Sequence, residues 1–269
     1  MKNILFILFS LFLLHSCEKE IDLDLEDESG NIVIEGNITN ESGPYVVRIT
    51  KSVGFTQPNQ YPVIAGAQVS VSDNTGQSET LVYMGNGKYQ SSVLTGVPGR
   101  TYTLKVVAEG KEYTAKSTMP APVNLEGLVQ DSFDFGGQTN YTLLPVFTDP
   151  SLLGNRYLFS FTVNSSQNKL FEVFSDNVNN GIPNQRPLFL PNDQDDAQYP
   201  AVVAGDTIYV EMNCIDSSIF TYYNALLDIL YGEGSGAGVT PSNPPSNITN
   251  GALGYFSAHT VSKKNVVIQ

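Results

Sequence analysis

Tryptophan is absent from the 269 residues, and histidine and cysteine occur only twice each. Each shortage closes off chemistry. Two histidines, His15 and His259, disfavour a multi-histidine metal site and narrow acid–base catalysis near neutral pH. Lys and Arg number 14 against 27 Asp and Glu, a formal net charge of −13. That excess repels phosphate backbones and anionic lipid surfaces, so nucleic acid is not an expected partner. Catalytic and nucleotide-binding signatures are missing as well: no G-x-S-x-G elbow, P-loop, G-x-G-x-x-G or H-E-x-x-H. The glycines of GEGSGAG, residues 232–238, have the wrong spacing and context for a dinucleotide. A serine triad would have to use His259 with no elbow to present the serine. The expectation is a protein without catalytic residues and without a cofactor.

What is present reads as a turn-rich β protein. Hydrophobic residues make up 41% of the chain, with 23 Gly, 15 Pro, 14 Tyr and 14 Phe. The start is different. Lys2 is followed by an apolar run from Ile4 to Leu14, too short for the ~20 residues of a spanning helix but suited to a secretory signal peptide. Leu14-His15-Ser16-Cys17 resembles a bacterial lipobox. His15 departs from the usual small residue at its position, which is a permissive one. The resemblance implies cleavage after Ser16 and lipidation of Cys17, with several acyl chains holding the protein to a membrane at ~0.8 kcal/mol per buried CH₂. Cys214 is then left without a disulfide partner and reads as a small buried hydrophobe. His15 leaves with the signal. Glu18–Glu28 carries seven acidic residues and one Lys, a self-repelling tether that spans residues 17–30 together with its flanks. An acidic cluster behind a lipidated cysteine resembles the surface-export signal of Bacteroidota lipoproteins.

From Asn31 the pattern alternates with period two. NIVIEGNIT, YVVRITKSVGF, AGAQVSVSD, SETLVY, KYQSSVL and TYTLKVVAEGKEYTAKSTM are strands, broken by turns at Asp73–Gly76, Asn86-Gly87 and Glu109-Gly110. This predicts an immunoglobulin- or transthyretin-like β-sandwich over residues 31–120. Ile32, Ile34, Val69, Val71, Tyr102, Leu104 and Val106 fall on its inward face. Pro120-Ala121-Pro122 punctuates its end.

Residues 121–269 read as a second β-rich domain. Strands are expected at Leu125–Ser132, Tyr141–Phe147, Tyr157–Val163, Leu170–Phe174, Thr207–Asn213, Gly254–His259 and Asn265–Ile268. Ile219, Tyr222, Tyr223, Leu226, Leu227 and Leu230 have helical spacing, which predicts one helix over about 217–231, capped by Asp216 or Ser217. A long loop, 232–252, follows. Loops of that length are uncommon in compact domains and are usually either functional or disordered. Asn243, Pro244, Asn247 and Tyr255 are therefore the candidate contacts with a partner or ligand. Tyr222, Tyr223, Tyr255 and Phe256 suit either an aromatic platform or core packing, the latter favoured. Asp193, Asp195 and Asp196 form the best local cluster for calcium, though they lack the glycine and distal glutamate of an EF-hand. A carboxylate pair of the glycosidase kind is invisible in sequence, and nothing singles one out.

IVIEGNIT, AGAQVSVSD, GKYQSS, GRTYTLKV, GKEYTAKSTMP and PPSNITNGALGYF together resemble the Bacteroidota lipoprotein family called domain of unknown function 4249. The likeness covers essentially the whole chain after Cys17, and NITNGALGYF is its more specific part. These are strand-and-turn signatures, so no catalytic residues are implied. The resemblance implies a lipid-anchored outer-membrane protein, facing the cell surface, as an accessory of a TonB-dependent transporter in nutrient uptake. A structural or adhesive envelope protein without a small-molecule ligand is the alternative.

Overall fold

The computed structural model describes residues 29–54, 57–58, 60–176, 180–231 and 243–269; Cys17, the acidic tether and the glycine-rich start of the long loop lie outside them. The chain is mainly β. Its first half forms β1 (Ile32–Thr39), β2 (Val46–Lys51), β3 (Gln68–Asp73), β4 (Ser78–Thr80), β5 (Val82–Tyr83), β6 (Lys88–Gln90), β7 (Thr101–Ala108) and β8 (Lys111–Thr118). The turn chemistry explains the spacing. Asn86 and Gly87 both take positive φ, as do Glu109 and Gly110, so each pair reverses the chain between antiparallel strands.

The second half adds β9 (Gly127–Phe135), β10 (Gln138–Val146), β11 (Arg156–Val163), β12 (Leu170–Ser175), β13 (Leu188–Phe189), β14 (Thr207–Cys214) and β15 (Leu253–Val267). One helix, α1 (Ser217–Tyr231), lies between β14 and β15. The strands form an eight-stranded sheet ordered β12-β11-β14-β15-β1-β2-β6-β5, a four-stranded sheet β4-β3-β7-β8 and a three-stranded sheet β13-β10-β9.

The long sheet is the spine, and alternation assigns its faces. Ile34, Ile49, Tyr89 and Phe256 from it meet Val71, Leu104 and Val106 of the four-stranded sheet in one sandwich core. All the inward positions named from the sequence lie there. Phe159, Phe161, Val210 and Met212 meet Leu143 of β10 and Leu188 of β13 in a second core. Leu158 and Tyr255, of the opposite parity, meet Ile219 and Tyr223 of α1 in a third.

β15 joins the two halves. Its first part pairs in parallel with β1, from Leu253 opposite Val33 to His259 opposite Thr39. Its second part pairs antiparallel with β14, from Thr260 opposite Cys214 to Val267 opposite Thr207. The sandwich marked by alternation over 31–120 is thus completed by Ile248, Ala252, Phe256 and Ala258 from the chain's end. Gly254 permits the close approach: its φ is +89°, and a Cβ there would sit 2.2 Å from the Ile34 carbonyl oxygen.

Candidate functional site

The expected contact loop is fastened down. Asn247 donates through Nδ2 to the Phe256 carbonyl at 2.8 Å and accepts the Phe256 N–H at 3.0 Å. Ile248 bridges Ala115 of β8 and is buried. The Thr249 N–H donates to the Thr114 carbonyl at 2.9 Å. The segment therefore works as an added edge for β8, with the Asn247 amide occupied on both sides. Asn243 is exposed and Pro244 half-buried. Tyr255 is drawn away from them: Tyr223 donates to its hydroxyl at 2.9 Å, and the Tyr222 ring lies 4.9 Å from its own. Phe256 is wholly buried. Burial pushes the Tyr222 hydroxyl pKa up to about 12 and Tyr223 well above its ordinary value, so both stay neutral donors. Tyr222, Tyr223 and Tyr255 are the glue between α1 and the sheet.

His259 sits inside a polar junction. Its Nδ1 is 2.8 Å from Ser257 Oγ, and Asp216 lies near enough to act on its charge. The residue types are those of a nucleophilic triad, but the setting is not. Ser257 is 1% exposed and His259 8%. Asp216 is the N-cap of α1, accepting the Ser218 and Ile219 N–H groups at 3.0 and 3.1 Å. Its other oxygen accepts from Ser117 Oγ and the Thr118 N–H of β8. Ser117 in turn accepts the Ala258 N–H at 2.8 Å. The network ties α1, β8 and β15 together. Burial holds the imidazole pKa down at about 4 against the pull of Asp216 and Glu41, so it is neutral at pH 7. Cys214 is buried in the second core and burial pushes its thiol up, which makes it unreactive.

The larger of two hollows lies elsewhere, along the outer edge of β12, the terminal strand of the long sheet. It has a volume of about 490 Å³, within the usual range for small-molecule sites. Three stretches far apart in sequence enclose it. β12 supplies Leu170, Phe171, Glu172 and Val173; the segment after β13 supplies Leu190, Pro191 and Tyr199; the last turn of α1 supplies Leu227 and Tyr231. Phe189 projects at the rim, 63% exposed. Glu172 is anchored by the Phe189 N–H, which donates to its Oε1 at 3.1 Å. Burial raises its pKa, opposed by that hydrogen bond and by Arg186. Arg186 itself stacks on Phe174, 4.0 Å from the ring centroid.

Asp193 and Asp196 reach the same groove. Each spends one oxygen on its own turn: Asp193 Oδ1 accepts the Asp195 N–H, and Asp196 Oδ1 accepts the Gln198 and Tyr199 N–H groups. Among the described residues, no group of three or more His, Cys, Asp or Glu is placed to hold a metal ion. Sequence reasoning passed over Glu172, Phe189, Tyr199 and Tyr231. The one available signal was Glu172, a carboxylate set in the apolar strand LFEVFS. A smaller hollow, about 210 Å³, lies over β11, β14 and β15, where Lys263 is paired with Glu41 at 2.6 Å and Glu211 at 3.7 Å.

Among the described residues, no helix is long and apolar enough to cross a membrane. No curated protein matches the chain. Many solved structures align with it, two of them as follows. A two-domain fibronectin type-III segment of chicken tenascin shares 12% identity at a TM-score of 0.23, covering 71% of this chain and 93% of its own. A cytokine receptor complex shares 9% at a TM-score of 0.25, covering 88% and 96%. Likenesses this weak carry no functional argument. The family model described as Domain of unknown function (DUF4249) matches residues 18–265, and the chain belongs to that family.

Proposed function

We propose that this member of the DUF4249 family is a lipid-anchored, surface-facing outer-membrane protein that binds a ligand without transforming it, as an accessory to a TonB-dependent transporter in nutrient uptake. The groove beside β12 is the observation that carries the reading. It is of small-molecule size and walled by apolar and aromatic side chains, with a few carboxylates at fixed positions. The groups best suited to catalysis stand apart from it, with His259, Ser257 and Cys214 all buried. Lipidation of Cys17 supplies the anchor.

Deleting the protein should lower growth on one member of a panel of nutrient sources, and restoring it should recover that growth. The Cys17→Ala chain, which lacks the residue to be lipidated, should fail to restore it. Unchanged growth on every source, together with lost attachment to surfaces, would favour the structural or adhesive role instead.

A further inference from the structure

The groove beside β12 has a charge and a surface that select a class of ligand. Its polar side chains comprise Glu172, Asp193, Asp196, Asn192, Tyr199 and Tyr231, with no Lys or Arg among the described residues of the wall. Rings border the same space: Phe189, Tyr199 and Tyr231, with Phe171 on the α1 side, where its ring packs against Tyr223. Carboxylates alone would suit a bare metal ion or any exposed cation. Rings alone would suit any apolar body. Together, within about 490 Å³, they suit a cation that carries its charge on a greasy frame. An aromatic face attracts such a cation through its quadrupole, more strongly once the pair is desolvated.

Position reinforces composition. Glu172 is half-buried, with one oxygen held by the Phe189 N–H. A carboxylate fixed in this way is oriented before a ligand arrives, which lowers the ordering cost of binding. Arg186 is the nearby cation acting on Glu172, but its guanidinium is stacked over Phe174, outside the groove wall. Asp193 and Asp196 each commit Oδ1 to a turn, which fixes both carboxylates at the rim. The net charge of −13 draws cations toward the protein as a whole, and the groove then selects among them.

We propose that the groove bounded by β12, residues 189–199 and the end of α1 binds a small organic cation, an amine or quaternary ammonium group on an apolar body. The proposal rests on the ligand-binding reading above and names the ligand class of that site.

Titration calorimetry on the intact protein, with benzyltrimethylammonium as the cation, benzyl alcohol as a neutral counterpart and benzoate as the anion, tests it. The cation should bind saturably in the millimolar range or tighter, the alcohol at least ~10-fold more weakly, and benzoate not measurably. Glu172→Gln should weaken the cation ~10-fold while leaving the alcohol unchanged. Phe189→Ala, at an exposed position that the fold does not need, should weaken the cation too. It serves as the second variant should Glu172→Gln fail to fold. Equal affinity for cation and alcohol would overturn the ligand class and leave ligand binding standing. Cation binding that neither variant alters would overturn the groove as its site. No cation binding by a protein whose deletion still costs growth would overturn this proposal while sparing the broader one.

Discussion

His259 gives the sharpest handle on the junction between the two halves. Buried beside Ser257, its imidazole has a pKa of about 4 in the folded protein, against an ordinary 6.5. At pH 7 both folded and unfolded imidazoles are neutral, and the residue contributes no pH dependence. As pH falls below 6.5, the unfolded chain takes up a proton that the folded chain does not, so stability drops. Below about 4 both are protonated and the loss is complete. At ~1.4 kcal/mol per unit, the gap amounts to about 3 kcal/mol. His259→Gln stays neutral throughout and should lose this slope. Urea unfolding of both proteins at pH 7, 5.5 and 4.5 isolates the difference, because any pH-independent cost of the substitution cancels. A chain expressed from Glu18 has His259 as its one histidine, and that imidazole resonance should stay unshifted by NMR until below pH 5. A midpoint near 6.5, or identical pH dependence in the two proteins, would refute the burial argument.

Other perturbations probe the remaining joints. Gly254→Ala should cost about 3 kcal/mol or prevent folding, since it combines a positive φ with a methyl driven into the Ile34 carbonyl; chemical denaturation reads it. Asp216→Ala should cost about 2 kcal/mol by removing the α1 cap and its ties to β8, with amide exchange quickening at Ser218 and Ile219 first. At Asp73, burial works against the charged form, but hydrogen bonds from Thr75, Gln77 and Arg100 hold the pKa below its ordinary value. Its stabilisation is therefore present at neutral pH and lost as pH falls through the acid range. Asp73→Asn should flatten the acid limb of a thermal-stability profile below pH 4.

How far the sequence could be read depended on how local each cause was. Asn86-Gly87 and Glu109-Gly110 announce their turns because positive φ is a property of those residues in place. The α1 stripe is legible because helical spacing repeats its apolar side chains. β15 reads as two short strands because Thr260–Lys264 is mostly polar, yet it is one strand of 15 residues. Pairing with β14 overrides the local signal: Lys263 lies opposite Glu211 and its ammonium reaches that carboxylate. The expected contacts at Asn247 and Tyr255 drew attention to a polar loop. Their polar atoms are engaged by β15 and α1, partners that only tertiary folding brings near. The groove was unreadable for the same reason. Its walls come from positions around 172, 195 and 230, and no spacing along the chain encodes their meeting.

The accessory role has one direct test. Crosslinked cells, solubilised in mild detergent, should yield the tagged protein together with an outer-membrane β-barrel transporter. The Cys17→Ala chain should lose that partner. Recovery of the wild-type protein alone after crosslinking would contradict the account.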